Sequence, residues 1–246
     1  MNYIFVTGLA GSGKSLLTSV LSDSLEEDGW GVARVNLDPS AETIPYTPDY
    51  DIRELIDSRT IYEKYGLGSN GALIFAMDLL AGNLQAFMPV LESFDLDFAV
   101  IDMPGQLEIF TFRQSGPFLL NSISREDKLV LFLSDITASF DFQNFILAEI
   151  MARVLSARTN APTIHVINKV DVSPQDAERI RGFLEIKSAD ELNSLSEKHL
   201  FNAYKHIQRI APETTHVFAS AKTKENIWQI KAYITRAFRG GEDKKE

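Results

Sequence analysis

"NYIFVTGLAGSGKSLLTSVLSDSLEE", residues 2–27, decides the fold. Tyr3 to Val6 form an apolar run suited to a buried strand, and the amphipathic stretch after Ser15 suits a helix. Between them "GLAGSGKS", Gly8 to Ser15, fits G-x-x-x-x-G-K-[ST]. Gly8, Gly11 and Gly13 let the backbone curl, so that the successive amides of Gly11, Ser12, Gly13, Lys14, Ser15 and Leu16 point at phosphate oxygens. Lys14 would then reach the β- and γ-phosphates, and the Ser15 hydroxyl would ligate Mg²⁺. At average glycine usage such a match arises in about one random chain in a hundred of this length. A strand before it and a helix after it make chance a poor explanation.

Five more runs like the first follow: "GVARVNL", "DFAVID", "KLVLFLS", "TIHVIN" and "THVFAS". Each is rich in Val, Ile and Phe, as strands buried on both faces should be. Helical stretches are predicted at roughly residues 14–28, 51–64, 71–93, 108–122, 140–158, 175–210 and 224–238. The alternation implies an α/β fold of right-handed βαβ units, a mostly parallel sheet with helices on both faces. Residues 1–238 read as one such domain, with helical insertions at about 51–93 and 175–210. The tail "RGGEDKKE", 239–246, reads as disordered.

In sheets of this kind ligands bind beyond the carboxyl ends of the strands. The third strand ends at Asp102 in "DMPGQLE", where an acidic residue near a phosphate loop is suited to the Mg²⁺ hydration shell. The Gly105 amide can meet a γ-phosphate, and Gln106 and Glu108 follow closely enough to orient a water. A cap and Pro-Gly turn is the bland alternative. "NKVD", Asn168 to Asp171, ends the fifth strand: Asp171 can accept both guanine N1–H and N2–H₂, Asn168 can donate to N7, and the Lys169 stem can lie along the base. Ser220, Ala221 and Lys222 follow the sixth strand, where a backbone amide can meet guanine O6. In this order the set points to GTP. Asp38 in "NLDPS" faces either Mg²⁺ or the attacking water, with a turn cap as the alternative.

Composition narrows the partners. The chain has 246 residues, 45% of them hydrophobic, enough for a sizeable core without a linker-like break. A net charge of −10 argues against direct nucleic-acid binding. Cysteine is absent, which excludes disulfides and thiolate zinc sites and fits a reducing cytoplasm. No apolar run approaches the ~20 residues of a membrane span, and the N-terminus lacks a signal-peptide layout. His165 reads as a core residue, and His199 and His206 are a full two turns apart, with no carboxylate pattern to complete a metal site. The apolar face of Phe75, Met77, Leu79, Leu80, Phe87, Met88 and Leu91 reads as core, with an interface as the alternative.

"YGLGSNGAL", residues 65–73, spells G-x-G-x-x-G through Gly66, Gly68 and Gly71. A dinucleotide fingerprint needs a strand running in. Here "DIRELIDSRTIYEKY" runs in with helical spacing, so a glycine C-cap and turn is the better local reading.

Taken together, "GLAGSGKS", "NLDPSAETIPYTPDYDIRE", "DMPGQLE", "NKVD" and "SAK" resemble the GPN-loop GTPases, dimeric P-loop GTPases of the SIMIBI class. The resemblance covers nearly the whole chain, and "PYTPDYDIRE" is its most distinctive part. The Gly-Pro-Asn loop of that family has its place at Gly68, Ser69 and Asn70, with serine where proline would restrain φ. Met103 stands where threonine is usual. The resemblance implies a GTP-hydrolysing homodimer with Mg²⁺, in which each subunit's Asn70 reaches the other's phosphates. It also implies a nucleotide-controlled assembly role on a protein client, in eukaryotic relatives RNA polymerase. On this reading Lys14, Asp38, Asp102, Gln106, Glu108 and Asn70 are the catalytic set, Ser15, Asp38 and Asp102 the metal set. A GTP-dependent binding switch without turnover and a P-loop kinase are the alternatives.

Overall fold

The computed structural model describes residues 1–239 except 57, 107, 112, 125, 126, 140 and 212; the side chains of 58, 59, 69, 86, 108 and 239 also lie outside the description. The strands are β1 (Asn2–Gly8), β2 (Val32–Asn36), β3 (Tyr50–Asp51), β4 (Phe98–Asp102), β5 (Lys128–Asp135), β6 (Thr163–Asn168) and β7 (Thr214–Phe218). They form one parallel sheet in the order β3-β2-β4-β1-β5-β6-β7. All six strands expected from the apolar runs are present. The edge strand β3 is additional, too short to leave a periodic signal.

Alternation along β1 sends side chains to two cores, because successive residues of a strand face opposite ways. Tyr3 and Phe5 join Val35, Ile101, Phe132, Met77 and Phe87 on one face. Ile4 and Val6 join Leu17, Leu21, Val100, Leu131, Ile230 and Ile234 on the other. Both sets are buried. Helix α1 (Lys14–Glu27) and helix α10 (Ile227–Arg239) cover the second face, so Arg239 ends a helix rather than opening a tail. The remaining tail residues, 240–246, lie outside the described residues.

Four expected helices are interrupted. The stretch 51–64 is a 3-10 turn (Ile52–Glu54) followed by α2 (Ser58–Tyr65). The apolar run 71–93 is α3 (Ser69–Gly82) and α4 (Leu84–Ser93), bent by 69°. The break has a local cause: the Asn83 side chain donates to the Leu79 carbonyl at 2.8 Å, competing with the helix's own ladder. The stretch 108–122 divides into α5 (Glu108–Thr111) and α6 (Ser115–Ile123). Helix α7 (Phe142–Thr159) is continuous, whereas 175–210 splits into α8 (Pro174–Glu185), a 3-10 turn and α9 (Leu195–Ile210). Helix α8 ends where Ile186 turns extended, and capping boxes at Ser188/Glu191 and Ser194/Glu197 start the 3-10 turn and α9. The Ser-x-x-Glu spacings were legible signals of that split.

Of the apolar face, Met77, Leu80, Phe87 and Leu91 are buried in the first core. Phe75 and Leu79 are partly buried against Ile61, Ala72 and Ala76. No single helix among the described residues is long and apolar enough to cross a membrane.

Candidate functional site

The register of the sheet brings the polar strand ends together. Val6 and Asn36 both align with Asp102, and Asp135 aligns with Asn168. The phosphate loop leaves β1 between these two groups. Gly8 has φ +140°, and a Cβ there would lie 2.2 Å from the Leu133 carbonyl oxygen, so only glycine lets the chain turn here. Gly11 and Gly13 are left-handed, and Gly13 caps α1 without a side-chain acceptor, so no side chain of its own cap answers the helix's first amides. That end is suited to an anion.

Lys14 is buried and donates to the Leu9 carbonyl at 3.2 Å. Burial holds its ammonium below the usual lysine range, opposed by Asp102 and Asp38 nearby. Gly105 packs against the loop: a Cβ there would come within 2.9 Å of Lys14 Nζ. The position after β4 thus accepts only a residue without a side chain while Lys14 keeps its place.

Asp102 is 1% exposed, and among the described residues its Oδ1 has no hydrogen-bond partner. Burial, reinforced by Asp38, pushes its carboxyl up to about 6, while the Ser15 hydroxyl and Lys14 beside it pull the other way. A buried acceptor without a partner is costly. A hydrated Mg²⁺ would satisfy it, and Ser15, Asp38 and Asp102 supply the hard oxygen ligands such an ion takes. Asp38 also makes the turn expected of its bland reading, its Oδ1 accepting from the Ser40 amide at 2.8 Å and hydroxyl at 2.6 Å. The Gln106 carbonyl accepts from the Ile109 amide as the chain enters α5. The Glu108 side chain lies outside the described residues.

The "NKVD" and "SAK" segments are knotted to each other and to the phosphate loop. Asn168 is buried; its amide nitrogen donates to the Ser12 carbonyl at 2.8 Å, and its oxygen accepts from the Ala221 amide at 3.0 Å. Asp171 Oδ1 accepts from the Ser220 hydroxyl at 2.6 Å. Lys169, with φ +66°, sends its ammonium to Asp135 Oδ2 at 2.5 Å. The Ala221 amide is therefore engaged by Asn168, and Lys222, the next residue, is exposed.

Gly66, at φ +63°, ends α2 with its amide on the Tyr62 carbonyl, the C-cap expected of it. Gly68 is extended, and the next two residues are helical: Ser69 and Asn70 open α3 rather than lying in a free loop, because the Ala72 amide already bonds the Gly68 carbonyl at 2.8 Å. Asn70 is exposed.

Two groupings were not legible beforehand. The Tyr46 hydroxyl donates to Asp102 Oδ2 at 3.2 Å across 56 residues of chain. A carboxylate does join the histidines: Glu149 contacts His165 Nδ1 and lies 2.8 Å from His216 Nε2. Tyr204 and Thr214 hydroxyls also donate to Glu149. Glu149 is fully buried, and although burial opposes it, His165 and His216 hold its carboxyl well below the usual range. The candidate ligand atoms of Glu149, His165 and His216 lie within 4.8 Å of one another, and His165 Nε2 is engaged by Ser134 at 2.7 Å. The group ties α7 to β6 and β7 through the buried Glu149 carboxylate.

Comparison with known proteins adds the lineage. Residues 6–240 match a family model described as "Conserved hypothetical ATP binding protein". A GPN-loop GTPase of Pyrococcus abyssi is 30% identical over 233 residues, 92% of each chain. GPN-loop GTPase 3 of Aspergillus fumigatus is 33% identical over 174 residues, 68% of this chain and 59% of that protein. GPN-loop GTPase 1 of Dictyostelium discoideum is 29% identical over 173 residues, 69% of this chain and 44% of the relative. The crystal structure of the Pyrococcus protein in apo form superposes with a TM-score of 0.82, 29% identity and coverage of 97% of this chain and 98% of that one.

Proposed function

The chain belongs to the GPN-loop GTPases, and from that premise we propose that it binds GTP with Mg²⁺ and hydrolyses it as a homodimer, acting as a nucleotide-controlled assembly switch on a protein client. The observation that carries this reading is the convergence at the strand ends: one phosphate loop, bordered on one side by Asp102 and on the other by the Asn168 knot. The family description names ATP, whereas the relatives are named GTPases. The second agrees better with a buried asparagine and a hydroxyl-anchored Asp171, since a carboxylate accepts from the guanine edge and finds no such pair of donors on adenine.

A bound Mg²⁺ would neutralise charge on the β- and γ-phosphates, held through Ser15, Asp38 and Asp102. Lys14, displaced from Leu9, would meet the phosphate oxygens, and the Gly105 amide would lie against them. Water for in-line attack would be oriented by Asp38, Gln106 or Glu108 and by Asn70 of the partner protomer. In support, Asn70 stands exposed at the start of α3, free of the core.

Mixing two inactive variants tests this. Lys14→Ala retains Asn70 but lacks a working pocket; Asn70→Ala retains the pocket. A mixed dimer has one complete site, so activity should return to about half per mixed dimer by site count. No recovery after demonstrated subunit exchange would refute the shared site.

A further inference from the structure

The loop 37–49 between β2 and β3 holds an unusual number of its own atoms in place. At its base, Arg34 and Asp49 exchange bonds: the Asp49 amide donates to the Arg34 carbonyl and the Arg34 amide to Asp49 Oδ2, both at 2.8 Å. Its far side rests on α1, where the Ser19 hydroxyl donates to the Pro45 carbonyl at 3.3 Å. Its middle is gripped by Arg53. The guanidinium donates to the Ala41 carbonyl at 2.8 Å and is itself fixed by Asp51, at 2.9 Å from Nε to Oδ1 and 2.5 Å from Nη2 to Oδ2. Asp51 accepts in turn from Asn36 Nδ2 at 2.9 Å, and Asn36 Oδ1 accepts from the Asp38 amide at 3.0 Å. A planar fork satisfied on both sides is stiff. What it stiffens is the segment carrying Asp38 at one end and Tyr46 at the other.

Tyr46 is half-buried and places its hydroxyl on Asp102 Oδ2, while Oδ1 of the same buried carboxylate has no hydrogen-bond partner among the described residues. A carboxylate with one oxygen tethered cannot rotate freely about its last torsion. Its untethered oxygen is thereby presented in one direction.

We infer that Tyr46 is a positioning residue for the divalent cation: its hydroxyl orients Asp102, and Arg53 keeps the loop that delivers it in register. The inference rests on the nucleotide-binding reading above but concerns residues outside the phosphate loop and the "NKVD" and "SAK" segments. Outer partners that orient a metal-holding carboxylate typically contribute 10- to 100-fold in metal affinity. Tyr46→Phe keeps the ring and removes only the hydroxyl.

The test is a Mn²⁺ titration, followed by electron paramagnetic resonance, of protein saturated with GDP, alongside GDP affinity in EDTA. Tyr46→Phe should weaken Mn²⁺ uptake about 10-fold or more and leave GDP affinity in EDTA unchanged. Arg53→Ala should weaken it as well, and adding Tyr46→Phe to Arg53→Ala should change little further, because one residue acts through the other's loop. Wild-type affinity for Mn²⁺ in Tyr46→Phe overturns the inference while leaving the nucleotide reading intact. Full additivity of the two substitutions overturns the role of Arg53. Failure of the wild type to bind GDP at all would sink the nucleotide reading itself, and this inference with it.

Discussion

The Asn168 side chain donates to the Ser12 carbonyl at 2.8 Å, joining the "NKVD" segment to the phosphate loop across 156 residues of chain. With its oxygen on the Ala221 amide, this one buried residue binds three loops into a single body. The spacing between the phosphate loop and the "NKVD" and "SAK" segments is thereby fixed.

Removing that link should be felt in both stability and binding. Asn168→Ala leaves a carbonyl and an amide buried without partners, at about 1–3 kcal/mol each. Guanidinium denaturation without nucleotide should show a loss of about 2–6 kcal/mol, and GDP affinity should fall in parallel. Lost affinity with unchanged stability would mean that Asn168 acts on the base alone.

Lys14 is expected to behave oppositely. Its burial disfavours the charged form, and its contact with Leu9 is a single hydrogen bond. Lys14→Ala should abolish turnover with the melting temperature nearly unmoved, and Ser15→Ala should do the same while raising the Mg²⁺ requirement. A large melting shift with turnover retained would assign both residues to the scaffold.

Asp102 gives a pH prediction whose sign follows from its burial. Its folded-state value of about 6 lies above the ordinary carboxylate value of about 3.9. Between those limits the folded protein holds a proton that the unfolded chain has released. The associated stability is full below pH ~4 and is lost as pH rises to ~6, roughly 3 kcal/mol in all. In EDTA without nucleotide, Asp102→Asn should therefore melt higher than wild type at pH 7.5, by about 2–4 °C per kcal/mol, with the difference shrinking towards pH 5. The same substitution should stop hydrolysis. A lower melting temperature for Asp102→Asn at pH 7.5 would contradict the cost assigned to this buried charge.

The pieces legible in the sequence were those written contiguously. "GLAGSGKS" carries its meaning in eight neighbouring residues, and the strands announce themselves by runs of Val, Ile and Phe. What the sequence concealed was relational. Nothing near Tyr46 names Asp102, and Glu149, His165 and His216 come from three elements. The break at Asn83 was hidden because apolar residues continue on both sides of it, so a single helix fitted the periodicity. Asn168 was read as a donor to the base, but a linear sequence cannot reveal the carbonyl of Ser12 beneath it.

Base identity is the claim on which the account turns, since the phosphate loop alone serves any nucleotide. Asp171, held by the Ser220 hydroxyl at 2.6 Å, is the residue that should choose. Calorimetric titration of wild type and Asp171→Asn with GDP, ADP and XDP tests it most directly. Wild type should prefer GDP over ADP by about 10⁴-fold, as sites built around paired polar groups do. Asp171→Asn should lose GDP and take up XDP, whose O2 replaces the amino group that the carboxylate received. Equal affinity of the wild type for ADP and GDP, or unchanged GDP binding in Asp171→Asn, would contradict the assignment.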